Sequence, residues 1–163
     1  MKIDFVIPVY NEAQGIGAFH RSLLEAVLPL PHTFRFLYVD DGSTDDTAAV
    51  LAGLAREDGR VQPIELSRNF GHQAALSAGL DAADGDAVVM MDGDGEHPAR
   101  LAAEMIRLHE CGYDVVQTQR LDRGRPGFFF KRLTAAAFYW LINRLGETRI
   151  VDGAADFRLR QNL

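Results

Sequence analysis

Three polar clusters, each following a short apolar run, hold the side chains of this sequence best suited to chemistry. The stretch Asp92-Gly93-Asp94-Gly95-Glu96-His97-Pro98 gathers three carboxylates on a glycine-bearing turn. Hard oxygen ligands in that arrangement suit Mg²⁺ or Mn²⁺, with a bound diphosphate completing the coordination shell. An acidic turn without metal is the plainer alternative. Carboxylates crowded at one strand end repel one another, however, and a cation relieves that repulsion. Two other acidic motifs fit less well. As an EF-hand loop the stretch has His97 where Gly is needed and Ala103 where the twelfth-position Glu belongs. As a phosphatase Asp-X-Asp nucleophile it should follow the first apolar run, and it follows the fourth.

The other two clusters lie upstream. Val39-Asp40-Asp41-Gly42-Ser43-Thr44-Asp45 puts a pair of carboxylates at a strand end, with Ser43 or Thr44 available to cap the next helix. Pro8-Val9-Tyr10-Asn11-Glu12 offers a tyrosine ring that can stack on a base and a carboxylate that can accept from ring N–H or ribose hydroxyls; taken alone it reads as a turn with a helix N-cap. Neither a G-x-G-x-x-G after the first strand nor a G-x-x-x-x-G-K-[ST] occurs, so a diphosphate's charge must be met by a metal and by arginines. His20, His32, His72, His97 and His109 lack paired zinc-ligand spacing, and only His97 lies within the acidic turn.

These clusters need a scaffold, and hydrophobic periodicity supplies it. Residues 3–9, 33–39, 61–66, 87–91 and 113–118 read as strands, rich in β-branched and aromatic residues and bounded by turn formers. Between them, Ile16, Phe19, Leu23, Leu24, Val27 and Leu28 recur at helical spacing up to Pro29, and 44–57, 73–83 and 98–111 read as further helices. The alternation predicts an α/β fold, a mostly parallel sheet with helices on both faces, and ligands at the carboxyl ends of the strands. Residues 1–121 form the core in this reading. Residues 122–163, opening with the linker-like DRGRPG (122–127), form a separate segment with a helical tail.

Composition bounds the partners. The chain has 163 residues, 47% hydrophobic and 25% charged, enough for one domain with a real core. Its net charge of −6 argues against general nucleic-acid binding. Residues 120–149 nevertheless hold seven basic residues against two acidic ones, a net +5 that leaves −11 for the rest, so an anionic partner is expected against that stretch. Cys111 is the lone cysteine, which excludes an intrachain disulfide. The N-terminus lacks signal-peptide features, and no apolar run reaches membrane-spanning length. The segment 127–145 (GFFFKRLTAAAFYWLINRL) fits two roles: a helix lying in a bilayer interface, or one covering the core.

Taken in order, VIPVYNE, VDDGSTDDT, LSRNFGHQAALSAGL, MDGDGEHP, GYDVV and DFRL run through nearly the whole chain. Together they resemble family 2 glycosyltransferases of GT-A fold, and within them the polyprenyl-phosphate glycosyltransferases related to dolichyl-phosphate mannose synthase. The LSRNFGHQAALSAGL stretch is similar to the bacterial enzymes acting on undecaprenyl phosphate, which favours a UDP-sugar donor over GDP-mannose. The resemblance implies that Pro8, Tyr10, Glu12, Asp40, Arg68 and Asp92 bind the nucleotide-sugar. Asp92 and Asp94 then form the Asp-X-Asp motif, with Asp94 the leading metal ligand for Mg²⁺ or Mn²⁺. Glu96 stands where the family usually has a metal-associated Gln, and so adds a negative charge. Asp156 is implied as base or acceptor-orienting carboxylate and Arg158 as a phosphate contact, with Ala155 where a Gly commonly precedes the Asp. Arg123, Lys131 and Arg132 are the candidates for the acceptor phosphate.

The activity so implied is inverting transfer of a sugar from a nucleotide diphosphate to a polyprenyl phosphate, at the cytoplasmic face of a membrane, with room for a homo-oligomer. Family members continue past DFRL into further, often membrane-spanning, helices, so the sequence is expected to be the first part of such an enzyme. Two alternatives stay open: a non-catalytic nucleotide-sugar-binding fragment, and a soluble family 2 enzyme with a saccharide acceptor. No Gln-X-X-Arg-Trp segment is present, which speaks against processive polymer synthesis.

Overall fold

A computed structural model of the chain describes residues 1–95, 98–119 and 154–161. The element order is β1 (Lys2–Val9), α1 (Ile16–Val27), β2 (Thr33–Asp40), α2 (Thr47–Glu57), β3 (Val61–Glu65), α3 (His72–Ala82), β4 (Ala87–Met90), α4 (Arg100–Glu110), β5 (Val115–Gln119) and β6 (Ala154–Gln161). The strands form one sheet in the order β3-β2-β1-β4-β6-β5. The β1–β2, β1–β4 and β2–β3 pairs are parallel, and β4–β6 is antiparallel. Met1–Gln117 and Asp156–Leu163 make one compact unit and Thr118–Ala155 a second. Nearly all described residues belong to the first.

The central strands are near-continuous apolar runs because both faces of a parallel sheet are covered. Ile3, Phe5, Ile7, Phe36 and Tyr38 point to one face, where they pack with Ile16, Phe19 and Leu23 of α1, Leu51 of α2 and Met105 and Ile106 of α4. Val6, Leu37, Val88 and Met90 point to the other face and meet Leu76 of α3. Gly79 lets α3 come this close: a Cβ there would lie 2.4 Å from Val6 Cγ1 and 2.9 Å from Val39 Cγ2. With full burial of such side chains worth about 1.5–3 kcal/mol each, these two layers are the chief support of the strand ends that carry the polar clusters.

At the opposite end of the sheet, Asp4 is fully buried. It accepts from Arg35 and from the backbone N–H groups of Asp84 and Gly85, both at 2.8 Å, so its charge is paired and its lone pairs are used.

Three local expectations change. The DFRL segment, assigned from sequence to the helical tail, is part of strand β6 and sits between β4 and β5. Helix α2 starts at Thr47, not at residue 44, because Ser43, Thr44 and Asp45 bond to the loop after β1. Neither Ser43 nor Thr44 caps it. The linker 122–127 and the aromatic segment 127–145 lie outside the described residues.

Candidate active site

Two loops, one after β1 and one after β2, are tied into a single rim. Asn11 N–H donates to Ser43 Oγ at 2.9 Å, Glu12 N–H to Thr47 Oγ1 at 2.8 Å, and Ala13 N–H to Asp45 at 3.2 Å. In return Thr44 N–H donates to Asn11 Oδ1 at 2.8 Å. Asn11 takes φ 57°, a left-handed conformation that Asn tolerates better than most residues. Thr47 is fully buried, so its hydroxyl is spent on this junction: it accepts from Glu12 and donates to Asp45. That bond is the main reason the Asp45 carboxyl is held below its ordinary value.

A third segment, residues 68–71, is clamped across the end of β2. Asp41, 4% exposed, accepts from Phe70 N–H at 2.8 Å and Gly71 N–H at 2.9 Å, one on each carboxylate oxygen. Gly42, at φ 65°, makes room for it, since a Cβ there would fall 2.3 Å from the Arg68 carbonyl carbon. The acidic turn after β4 is seated in a similar way: a Cβ on Gly93 would lie 2.5 Å from Val9 Cγ1 and 3.1 Å from Ile7 Cγ2. The glycine between the two aspartates is therefore a packing requirement.

These pieces enclose a cleft of about 340 Å³, within the range usual for small-molecule sites. Pro8, Val9, Tyr10 and Glu12 line it from the first loop, Asp41 from the second, Asn69, Gly71, His72 and Ala75 from the α3 side, and Asp92, Gly93 and Asp94 from the acidic turn. Tyr10 is 43% exposed and offers a ring face. The Glu12 carboxyl is pushed above its ordinary value, first by burial, then by the charges of Asp94 and Asp45. His72 Nε2 lies 3.6 Å from Asp92 Oδ1.

Four carboxylates around one cleft repel an anionic ligand unless a cation intervenes. Among the described residues no trio of His, Cys, Asp or Glu is placed to hold a metal by itself. The donor set fits instead a hard divalent ion held by one or two carboxylates and completed by substrate oxygens, as Mg²⁺ commonly is. Asp92 and Asp94 are the residues present for it.

The sequence-derived candidates separate into groups. Pro8, Tyr10, Glu12, Asp92 and Asp94 line the cleft. Asp40 does not: it is 1% exposed, and its Oδ1 accepts from the Ser43 N–H and hydroxyl. Its neighbour Asp41 takes the cleft position. Strand alternation could have found this, because Phe36, Tyr38 and Asp40 share a parity that leads to the α1 face and Leu37, Val39 and Asp41 share the one that leads to α3. Arg68 lies exposed with its guanidinium 4.6 Å from the Phe70 ring centre, outside the residues lining the cleft. Arg158 is half-buried on β6, opposite Met90, with its Nε enclosed and without a hydrogen-bond partner. Because β6 runs antiparallel to β4, the backbone from Arg158 back to Asp156 runs along β4 in the direction of Asp92. Glu96, Arg123, Lys131 and Arg132 lie outside the described residues. Asn69, Gly71 and His72 are further cleft residues, to which the motif reading assigned no individual role.

The mostly parallel sheet with its antiparallel β6 is that of the GT-A glycosyltransferase fold. The chain belongs to glycosyl transferase family 2, whose model matches residues 4–160. A bactoprenol glucosyl transferase of Shigella phage SfV is 38% identical over 98% of this chain and 52% of its own length. The chain thus spans about half the length of the curated relatives it matches. Among solved structures, S. aureus TarS 1-349 in complex with UDP superposes with a TM-score of 0.56 at 28% identity, covering 80% of this chain and 40% of that one. A mannosyltransferase from Pyrobaculum calidifontis, in complex with GDP-Man and Mn²⁺, gives a TM-score of 0.66 at 24% identity over 98% and 44%; the latter likeness is one of fold.

Proposed function

We propose that this chain carries the donor site of an inverting glycosyltransferase that moves a sugar from a nucleotide diphosphate, preferentially a UDP-sugar, to a polyprenyl phosphate. The observation that carries the reading is the cleft itself, whose lining brings Tyr10 and Asp41 together with Asp92 and Asp94. An aromatic face and a carboxylate suit a nucleobase and its ring N–H. Paired carboxylates suit a metal-bound diphosphate. The acceptor class rests on the 38% identity to a bactoprenol glucosyl transferase, and the preference for UDP on TarS, whose complex contains that nucleotide.

In this reading Asp94, with Asp92 and Glu96, holds Mg²⁺ or Mn²⁺. Once bound, the ion supplies positive charge to the departing diphosphate. Arg158 lies at the same strand end and adds a second positive group. The acceptor phosphate is largely ionised at neutral pH, its second pKa being about 6, so it attacks the anomeric carbon without a strong base. One bond forms from the acceptor oxygen as the bond to the donor phosphate breaks on the opposite side, and the anomeric centre inverts. Asp156 then orients the acceptor, and Arg123, Lys131 and Arg132 offset repulsion between two anionic substrates. No helix among the described residues is long and apolar enough to cross a membrane. The basic, aromatic stretch 120–149 is where a lipid acceptor at the cytoplasmic membrane face would be met.

The test is incubation of the protein with a short polyprenyl phosphate and a panel of UDP- and GDP-sugars, followed by mass spectrometry of the lipid fraction. A glycosyl polyprenyl phosphate formed from a UDP-sugar supports the proposal. Transfer to a saccharide with none to the lipid phosphate would contradict it.

A further inference from the structure

Of the cleft side chains to which neither the motif reading nor the proposed chemistry gives a role, His72 is the basic one. His72 is the first residue of α3, and the two residues before it are fixed by the Asp41 carboxylate through the Phe70 and Gly71 N–H groups. Gly71, at φ 95°, makes the turn that brings the helix start to the cleft. The imidazole is 41% exposed, lines the cleft, and places Nε2 3.6 Å from Asp92 Oδ1. Among the described cleft residues it is the only basic side chain, standing against Glu12, Asp41, Asp92 and Asp94.

At 3.6 Å the imidazole is in ion-pair range of the carboxylate and beyond direct hydrogen-bond distance; a basic group so placed biases which oxygen that carboxylate presents, as partners of metal-ligating groups do elsewhere. Asp92 belongs to a turn already pinned on one side by Gly93 packing on Val9 and Ile7. His72 reaches the same turn from the α3 side. We propose that His72 is a positioning residue: it holds the Asp92 carboxylate in the direction required to bind a metal-complexed diphosphate, and it ties that turn to the 68–71 segment that Asp41 fixes. The proposal rests on the donor-site reading above. It concerns only the diphosphate end of the cleft, because Tyr10 and Asp41 do not depend on the imidazole.

The experiment is calorimetric titration of UDP, GDP and uridine into wild type, H72A, H72Q, D92N and the H72A/D92N double variant, each with Mn²⁺ present, after circular dichroism has shown equal folding. Truncation of a residue that orients a metal ligand costs about 10-fold or more in affinity, so H72A should weaken binding of the nucleoside diphosphate by about that factor while leaving uridine binding unchanged. H72Q, whose amide can donate from nearly the position of Nε2, should recover most of the loss. In the D92N background, removal of His72 should change affinity by less than about twofold, because the group it acts through is already altered. Unchanged binding by H72A, a loss shared equally by uridine, or a full loss repeated in the D92N background would each overturn the assignment while leaving the donor site standing. Wild-type protein that binds neither UDP nor GDP would overturn both.

Discussion

Replacing Asp41 by Asn tests the clamp that shapes the cleft, because it keeps the side chain's size and removes only one acceptor. In the native protein each carboxylate oxygen takes one backbone N–H, from Phe70 at 2.8 Å and Gly71 at 2.9 Å, and the residue is 4% exposed. Asn can satisfy one of these donors; its NH₂ group then faces the other, donor to donor. The loss is one hydrogen bond to a charged group, about 1.5–3 kcal/mol, with the orphaned donor setting the upper part of that range. A value of about 2 kcal/mol corresponds to a fall of about 1 M in the urea midpoint if the slope is about 2 kcal/mol/M. The assay is urea unfolding followed by far-UV circular dichroism, with the exposed Asp46→Asn as the matched control, expected to lie within about 0.5 kcal/mol of wild type. A D41N midpoint no lower than that of D46N would refute the clamp, and with it the account of how residues 69–72 are brought to the cleft.

Further outcomes follow from the packing and from two titrating groups, His20 and Asp58. Gly93→Ala should destabilise by about 1–3 kcal/mol, since its Cβ would meet Val9 Cγ1 at 2.5 Å. It should also weaken metal-dependent nucleotide binding by shifting Asp92 and Asp94, as isothermal titration would show. His20, 3% exposed, is held below the ordinary imidazole value, chiefly by burial and against the pull of Asp58. Its folded pKa lies below the unfolded one, so the unfolded chain takes up the proton first, and stability falls as pH drops below about 6.5. Asp58, held down to about 2 mainly by the Arg60 hydrogen bond, adds stability that is present above the unfolded value near 4 and is lost as pH falls toward about 2. Melting temperatures of wild type and H20Q between about pH 8 and pH 5 should diverge in slope; parallel curves would contradict the buried neutral histidine.

The sheet was legible because its strands are short, β-branched and separated by helices with clear 3.6-residue periodicity. The cleft's position followed from the polar clusters at strand ends. What escaped depended on strand parity and on contacts between distant residues. Asp40 and Asp41 are chemically identical in sequence, and only strand parity decides that Asp41 faces α3 while Asp40 turns in to Ser43. Helix α2 begins late because Asp45 and Thr47 are engaged with the backbone of residues 12–13, 32 or more positions away in sequence. Strand β6 lies far along the chain and pairs antiparallel with β4, so its place between β4 and β5 has no local signal. His72 falls one residue before the helix read from sequence at 73–83, and only the contacts of Gly71 and Asp41 fix where that helix begins.

The central claim is that the acid-lined cleft binds a nucleoside diphosphate through a divalent ion on the acidic turn. Titration of UDP and GDP into the protein, with and without Mn²⁺, beside Asp94→Ala, addresses it most directly. The account predicts Mn²⁺-dependent binding of UDP in preference to GDP, abolished in D94A while the variant stays folded. Binding of equal strength without metal, or unaltered by D94A, would contradict it.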